Sequence, residues 1–477
     1  MNDAAIIDAH LDRLRDFYAD GGPPVTGPGE GYRKLLARYY GLMFPADASV
    51  LEVGCGAGDL LSHLPNRDIT GVDLSAAQIE AARQRLPHGD FHVQAGEHLD
   101  LQRTFDVIIL SETINFAADV QQLIENLQSV ATPQTRLIIN FHSALWRPAL
   151  TLATSLGLKS PSPQSNWLSH KDVWNLCALA DWEIVKTQWR ILFPLPIPGL
   201  DAVFNRWLAP LLPVFCLTVF VVARFRPRRP ATPLPEAKLP KVSVIVPARN
   251  EAGNIEAAVR RTPQLGAGTE LVFIEGHSRD NTWEEIQRVA AAFPEREIQT
   301  MRQTGRGKGN AVREAFAAAT GDILMILDAD LTMPPEELPK FYKALVSGHA
   351  EFANGVRLVY PMEQHAMQFL NLCANKFFGV AFTWLLGQTV QDTLCGTKVL
   401  YRRDYEKIAA NRAYFGDFDP FGDFDLLFGA DKLNLKIADI PIHYRERTYG
   451  STNIQRWSHG WLLLRMMTFA AKKLKFV

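Results

Sequence analysis

Residues Gly321-Asp322-Ile323-Leu324-Met325-Ile326-Leu327 form an apolar run that stops abruptly at Asp328-Ala329-Asp330. A run of this kind reads as a strand buried on both faces, as in a mostly parallel α/β sheet. The carboxyl ends of such strands are where open α/β sheets hold ligands. Two carboxylates one residue apart at that edge repel each other unless a cation joins them. A hard divalent ion such as Mg2+ or Mn2+ takes carboxylate oxygens and leaves positions open for phosphate oxygens. Asp328 and Asp330 are therefore candidate metal ligands, and the ion between them suits a leaving diphosphate.

The flanking sequence repeats the pattern. Val242-Ser243-Val244-Ile245-Val246-Pro247 is a second buried strand, followed by Ala248-Arg249-Asn250-Glu251 and a helix that begins near Asn254. Glu270 to Ile274 is a third, ending in Glu275-Gly276-His277-Ser278-Arg279-Asp280-Asn281-Thr282. The glycine run Gly305-Arg306-Gly307-Lys308-Gly309-Asn310 precedes a helix expected over Ala311–Ala319. It lacks the spacing of a P-loop. Arg306 and Lys308 are still placed to face a phosphate at a helix N-terminus.

These segments resemble the family 2 glycosyltransferases of the A-type fold, and among them the enzymes that move a sugar from a nucleotide to polyprenyl or dolichyl phosphate. The resemblance covers about residues 240–460 and rests on VSVIVPARNE, EGHSRDNT, GRGKGNA, LDADLTMPPE, QDTLCGTKVLYRRDY, GDFDLL and PIHYRERTYGST, in that order. It implies a UDP- or GDP-linked sugar donor bordered by Pro247, Arg249, Asn250, Glu251, Glu275, Lys308 and Asp328. Gly276 stands where the family usually has a second acidic residue against the base. The resemblance places Asp328 and Asp330 on the metal, and Asp392 with Cys395-Gly396 between donor sugar and acceptor. Asp423 and Asp425 lie where inverting members acting on hydroxyls keep a base, and Arg445, Arg447 and Ser451 would clamp phosphate oxygens. The acceptor it implies is a polyprenyl phosphate or a glycan.

In the first half, Val50-Leu51-Glu52-Val53 leads into Gly54-Cys55-Gly56-Ala57-Gly58, and a helical stretch is expected over Asp59–Leu64. Strand, glycine turn and helix form a Rossmann-like start. Asp73 closes the next strand, where a carboxylate accepts ribose hydroxyls. With GVDLS, QAGEHL and FDVIILSETI, this half resembles the class I S-adenosylmethionine-dependent methyltransferases over about residues 35–225. The resemblance implies a seven-stranded sheet ending in a hairpin, with Leu217–Arg224 as the final strand. It also implies S-adenosylmethionine held by Glu52, Gly54, Gly56, Gly58, Asp73, Gly96, Glu97 and Ser111, with Ala95 beside the adenine. His142, Trp146 and Arg147 follow the fifth strand and face either an acceptor or the surface and core.

Arg226 to Lys241, with five prolines, reads as an extended linker. The expected organisation is thus two Rossmann-like α/β domains, 1–225 and 242–477, joined by 226–241. The 477 residues suffice for both, and 47% apolar against 21% charged residues excludes disorder of the whole chain. With 50 Lys+Arg against 51 Asp+Glu, no globally basic nucleic-acid binder is expected. Five scattered cysteines without CxxC speak against disulfides and structural zinc, and for a cytoplasmic setting. The acidic N-terminus does not read as a signal peptide. Trp207–Ala223 is apolar, but Pro210 and Pro213 and its β-branched second half favour a buried strand over a membrane span. Met367–Leu386 and the basic, aromatic tail Ile442–Val477 suit peripheral contact with an anionic membrane. The functional expectation is a fused methyltransferase and metal-dependent, inverting glycosyltransferase. The alternative keeps only the second activity and makes the first domain a binding or docking module.

Overall fold

The computed structural model describes residues 3–19, 28–156, 168–195, 199–226, 239–357, 369–412, 423–445 and 456–477, with single positions 163, 166, 197, 447 and 449. It divides into two compact units, Met1–Pro230 with Phe476–Val477, and Ala231–Lys475.

The first unit contains strands β1 (Val50–Val53), β2 (Ile69–Asp73), β3 (Asp90–Val93), β4 (Val107–Ser111), β5 (Arg136–His142), β6 (Trp182–Arg190) and β7 (Thr218–Phe225). Its helices are α1 (Asp3–Phe17), α2 (Pro28–Gly41), α3 (Ala76–Arg85), α4 (Val120–Asn126), α5 (Arg147–Ser155) and α6 (His170–Leu179). The sheet order is β3-β2-β1-β4-β5-β7-β6, and β7 runs antiparallel between β5 and β6. The expected final strand is therefore present, closing the hairpin one residue later than read from sequence. Alternate residues of each central strand enter opposite cores. Val50, Ile109, Ile138 and Phe220 pack under Tyr39 and Tyr40 on one face. Leu51, Ile108, Leu137 and Val219 pack against Ile124, Leu127 and Trp182 on the other. Continuous apolar strands are required because both faces are covered. The helix expected over Asp59–Leu64 is instead a 3-10 turn, Leu61–His63. Pro65 follows, and the clash of its ring with the preceding residue drives Leu64 to an extended ψ of 146°.

The second unit contains β8 (Val242–Ala248), β9 (Thr269–Glu275), β10 (Glu297–Arg302), β11 (Ile323–Ile326), β12 (Phe352–Val356), β13 (Lys398–Tyr401) and β14 (Ile437–Pro441). Its helices are α7 (Ile255–Arg261), α8 (Thr282–Ala292), α9 (Lys308–Ala318), α10 (Leu338–Val346), α11 (Phe369–Leu386), α12 (Arg402–Ala410), α13 (Asp423–Lys432) and α14 (Arg456–Leu474). The sheet order is β10-β9-β8-β11-β13-β12-β14. β13 is antiparallel to both neighbours and the other pairings are parallel. One core, including Val244, Val246, Phe273, Met325, Leu338 and Phe341, fills one face of the sheet. α9 starts at Lys308, three residues earlier than expected, because Gly307 takes a φ of 87° and turns the chain into the helix.

Among the described residues no helix is long and apolar enough to cross a membrane. The Trp207–Ala223 run splits between an irregular helical turn and buried β7. Residues 227–238 of the proline-rich stretch lie outside the described residues.

Candidate functional site

In the second unit the candidate site lies at the carboxyl edge of β8, β9 and β11. β11 delivers Asp328 and Asp330, and each is met by a cation. Lys308, at the start of α9, places Nζ 2.7 Å from Asp328 Oδ1. Arg447 reaches Asp330 Oδ2 at 2.5 Å and Glu251 Oε1 at 3.2 Å. Burial opposes ionisation of Asp328, but Lys308 first, then Lys398 and Arg357, hold its carboxyl below the ordinary value. Asp330 also accepts from the Thr332 amide and hydroxyl. Among the described residues no group of three His, Cys, Asp or Glu side chains gathers as a metal site. A pair of hard carboxylates still fits a divalent ion that completes its shell with phosphate oxygens and water. Gly396 supports that fit, since a Cβ there would collide with Asp328 Oδ2 and lie 2.5 Å from Lys308 Nζ, filling the space beside the carboxylate.

Asn250, Glu251 and Glu275 shape this edge. Asn250 has a φ of 56°, accepts from the Arg279 amide at 2.7 Å, and donates its own amide to Ser278 Oγ. Glu275 accepts from the Ser278 amide at 2.5 Å. Glu251 accepts from Asn254 Nδ2 as well as from Arg447, and burial raises its pKa. Pro247 is half-buried, and Arg249 is exposed beside it. Arg445 is exposed, with its amide on Thr332 O, and Ser451 lies outside the described residues.

The remaining carboxylates are used differently. Asp392 is wholly buried, and Arg357 donates to it from its amide, Nε and Nη2 at 3.1, 2.7 and 2.8 Å. The Leu394 amide takes a further lone pair. Lys398, fully buried on β13, donates to the Cys395 carbonyl, and Asn354 bridges the Asp392 carbonyl to Asp439. This network holds the loop that brings Gly396 against Asp328. Sequence reading placed Asp392 in the loop but missed Arg357, Lys398 and Asp439. A lysine that no sequence periodicity would bury was the available signal. Asp425 is buried and bound to Arg412 at 2.8 Å, between α12 and α13. Asp423 opens α13, and its side chain lies outside the described residues.

In the first unit the candidate cofactor residues also share one carboxyl edge. Gly54, Gly56 and Gly58 all have positive φ. Asp73 accepts the Gly56 and Ser75 amides at 2.9 Å each, while burial raises its pKa against those bonds. Glu52 is buried on β1, which raises its pKa well above the ordinary value, and its Oε2 has no hydrogen-bond partner. An orphaned oxygen beside the glycine turn fits a polar ligand there. Gly96 is closely packed, because a Cβ would collide with Leu123 Cδ1. Glu97 turns inward to the Ala118 amide, and Ser111 ends β4 opposite Asn140.

Beyond Ser111 the structure assembles groups that sequence reading did not connect. Glu112 sits at a φ of 62°, a strained conformation for its residue type. It pairs with His142 Nε2 at 3.0 Å, at the end of β5. Tyr32 lies against the same ring and bonds Thr218 Oγ1 at 2.9 Å. Burial would raise the Glu112 pKa, but His142, then Tyr32 and Arg33, hold it down to about 2. A depressed carboxylate adds stability above its unfolded pKa, and that contribution fades as the pH falls from 4.5 toward about 2. The difference in melting temperature between wild type and Glu112→Gln is therefore expected to narrow as the pH falls from 4.5 toward about 2. A pH-independent difference in thermal melts would rule out this pairing.

Comparison with known proteins adds two family matches. Residues 45–180 match a family described as Methyltransferase domain, and residues 243–408 match Glycosyl transferase family 2. The chain joins a methyltransferase domain to a family 2 glycosyltransferase domain. Part of it is 36% identical, over 121 residues, to a dolichol-phosphate mannosyltransferase of Pyrococcus furiosus, covering 25% of this chain. The match spans only about a third (34%) of that relative's length. The methyltransferase domain is similar to a Thermotoga maritima structure described as an S-adenosylmethionine-dependent methyltransferase, possible histamine N-methyltransferase. The identity is 15% and the TM-score 0.33, covering 46% of this chain and 98% of that one. A Mycobacterium tuberculosis glucosyl-3-phosphoglycerate synthase, solved with Mn2+, UDP and glucosyl-3-phosphoglycerate, is 20% identical with a TM-score of 0.37. It covers 52% of this chain and 86% of that one.

Proposed function

We propose that the chain is a bifunctional enzyme, with residues 1–225 and 242–477 as its domains and 226–241 as the linker. The glycosyltransferase domain moves a sugar from a UDP- or GDP-sugar to a polyprenyl phosphate or glycan acceptor, with inversion. The observation that carries this reading is the convergence of Asp328, Asp330, Lys308, Glu251 and Arg447 at one strand edge. Mg2+ or Mn2+ held by Asp328 and Asp330 supplies neutralisation of the leaving diphosphate. Lys308 adds a positive charge on the same side, and Arg447 fixes Asp330 against Glu251. Asn250 and Glu275 brace the two loops that border the nucleoside. Pro247 and Arg249 border the nucleoside, and Arg445, Arg447 and Ser451 clamp phosphate oxygens. Asp392, bound to Arg357, positions its loop, and Asp425, bound to Arg412, fixes the first turn of α13.

The relative named for dolichol phosphate supports a lipid-phosphate acceptor. A phosphate monoester, with a second pKa of about 6, is already ionised at neutral pH and needs no strong base. A hydroxyl acceptor needs one within hydrogen-bond reach, and Asp423 is that candidate. Asp423→Asn is expected to abolish transfer to a hydroxyl and to spare transfer to a phosphate; loss of both would end this division of labour. α11 supports peripheral membrane contact on the cytoplasmic face. Phe382 packs against Phe424 and Phe428, while Phe377, Val380 and Trp384 face outward.

The methyltransferase domain transfers the methyl group of S-adenosylmethionine, held at Gly54, Gly56, Gly58, Asp73, Gly96 and Ser111 beside Glu52. Glu97 braces the adjoining loop. His142, paired with Glu112 at the end of β5, is the side chain that contacts the methyl acceptor in this reading.

The deciding experiment uses full-length protein, Mn2+ and a panel of UDP- and GDP-sugars, with and without short-chain polyprenyl phosphate. Lipid-dependent nucleotide release with a sugar-lipid product is expected. Release without lipid product moves the acceptor to hydroxyls, and no release from any donor overturns the glycosyltransferase reading. Calorimetry with S-adenosylmethionine tests the first domain separately, and absence of binding makes it a docking module.

A further inference from the structure

We propose that the methyltransferase domain carries its own membrane-docking face, which seats in the headgroup region of an anionic bilayer. The face is built from α5 and the long excursion between β6 and β7. It is distinct from the contact proposed for α11.

Twelve of the fifteen exposed large apolar side chains described in this unit fall within 145–156 and 195–215. They include Leu152, Val203, Trp207, Leu211 at 62% exposure, Val214 at 69% and Phe215 at 56%. Soluble monomers rarely expose so many large apolar side chains within two segments of one unit. The two segments are joined, since Trp146 Nε1 donates to the Phe215 carbonyl at 2.8 Å and the Ser143 amide donates to Leu217 O at 2.7 Å.

The excursion is a built structure and its core does not need these side chains. Buried Asn205 holds both the amide and the carbonyl of Phe193, at 2.8 and 2.7 Å. Local turns satisfy the amides of Val203, Ala209, Leu212, Phe215 and Cys216. Five prolines, at 194, 196, 198, 210 and 213, remove further donors. A backbone that spends its polar groups internally is what an apolar medium demands. A protein partner would instead call for about one hydrogen bond per 100–200 Å² of interface.

The charge pattern selects the lipid. Residues 191–217 contain one acid, Asp201, and one base, Arg206, and 143–156 contain only Arg147. Arg147 and Arg206 against Asp201 leave an excess of one positive charge; the Arg206 guanidinium lies 5.9 Å from the Trp207 ring, its Nε donates to the Phe476 carbonyl, and one side of Trp207 packs on Phe476. Arginine next to tryptophan matches the phosphate level of a bilayer, with aliphatic groups reaching the acyl boundary.

The test is sedimentation of full-length protein with phosphatidylcholine vesicles, with and without phosphatidylglycerol. Wild type is expected to bind, more strongly with phosphatidylglycerol. Leu211→Asp/Val214→Asp is expected to weaken binding by more than about tenfold, because each change replaces an exposed aliphatic group that the bilayer would bury with an anion. Both positions are exposed, so circular dichroism and melting temperature should not move. Phe215→Ser serves as a second variant and should lower binding severalfold. Val380→Asp on α11 is expected to leave part of the binding intact. The proposal is overturned if wild type does not bind vesicles, or if the double variant binds as wild type does. It is also overturned if the lipid-free protein is a dimer that the double variant dissociates, which would make a second copy the occupant.

Discussion

Asp328→Asn is expected to cut sugar transfer by roughly 10²–10³-fold or more, because removing one preorganised charge from a transfer site costs about that much. The amide keeps the shape of the side chain but loses the anionic oxygen that faces Lys308 at 2.7 Å. It also removes half of the carboxylate pair at the end of β11. The readout is Mn2+-dependent release of UDP or GDP from the preferred donor, with melting temperature as the control for folding. Gly396→Ala should act in the same direction, since its Cβ would occupy the space against Asp328 Oδ2. Unchanged turnover in Asp328→Asn would remove the basis for placing a metal there.

Arg357→Ala is expected to destabilise the glycosyltransferase domain by about 3–5 kcal/mol, the range for leaving one member of a buried ion pair unpaired. Asp392 has no exposed surface and Arg357 only 12%. Burial lowers the pKa of Arg357, but Asp392 outweighs it and holds the guanidinium charged. Burial likewise pushes Asp392 up, and Arg357 more than compensates. Removing both partners should restore much of the loss, because no charge is then stranded. The measurement is the shift of this domain's own unfolding transition for Arg357→Ala, Asp392→Ala and the double variant. A loss below about 1 kcal/mol for Arg357→Ala would mean that the pair is solvated, as at a surface.

Much of the fold is legible in the order of the residues. β8 and β11 read as buried strands because a sheet covered on both faces favours runs of apolar side chains, and that demand is written residue by residue. The glycine turn at 54–58 and the carboxylates at 328 and 330 are equally visible, being local patterns at strand ends. Local reading errs where a local rule is overlooked, as when Pro65 shortens the expected helix to a 3-10 turn.

The amino-acid sequence by itself therefore determined two α/β sheets and put the glycine turn at 54–58 and the carboxylates Asp328 and Asp330 just beyond strand ends. Only the tertiary structure decided what the other charged groups do. Arg357 and Asp392 are 35 positions apart, Glu112 and His142 are 30 apart, and Arg447 reaches across 196 positions to Glu251. The same holds for the exposed face formed by α5 and the β6–β7 excursion. An ion pair or an apolar surface is a property of which side chains meet and which remain uncovered. Chain folding sets that through long-range strand order, and no periodicity along the sequence encodes it.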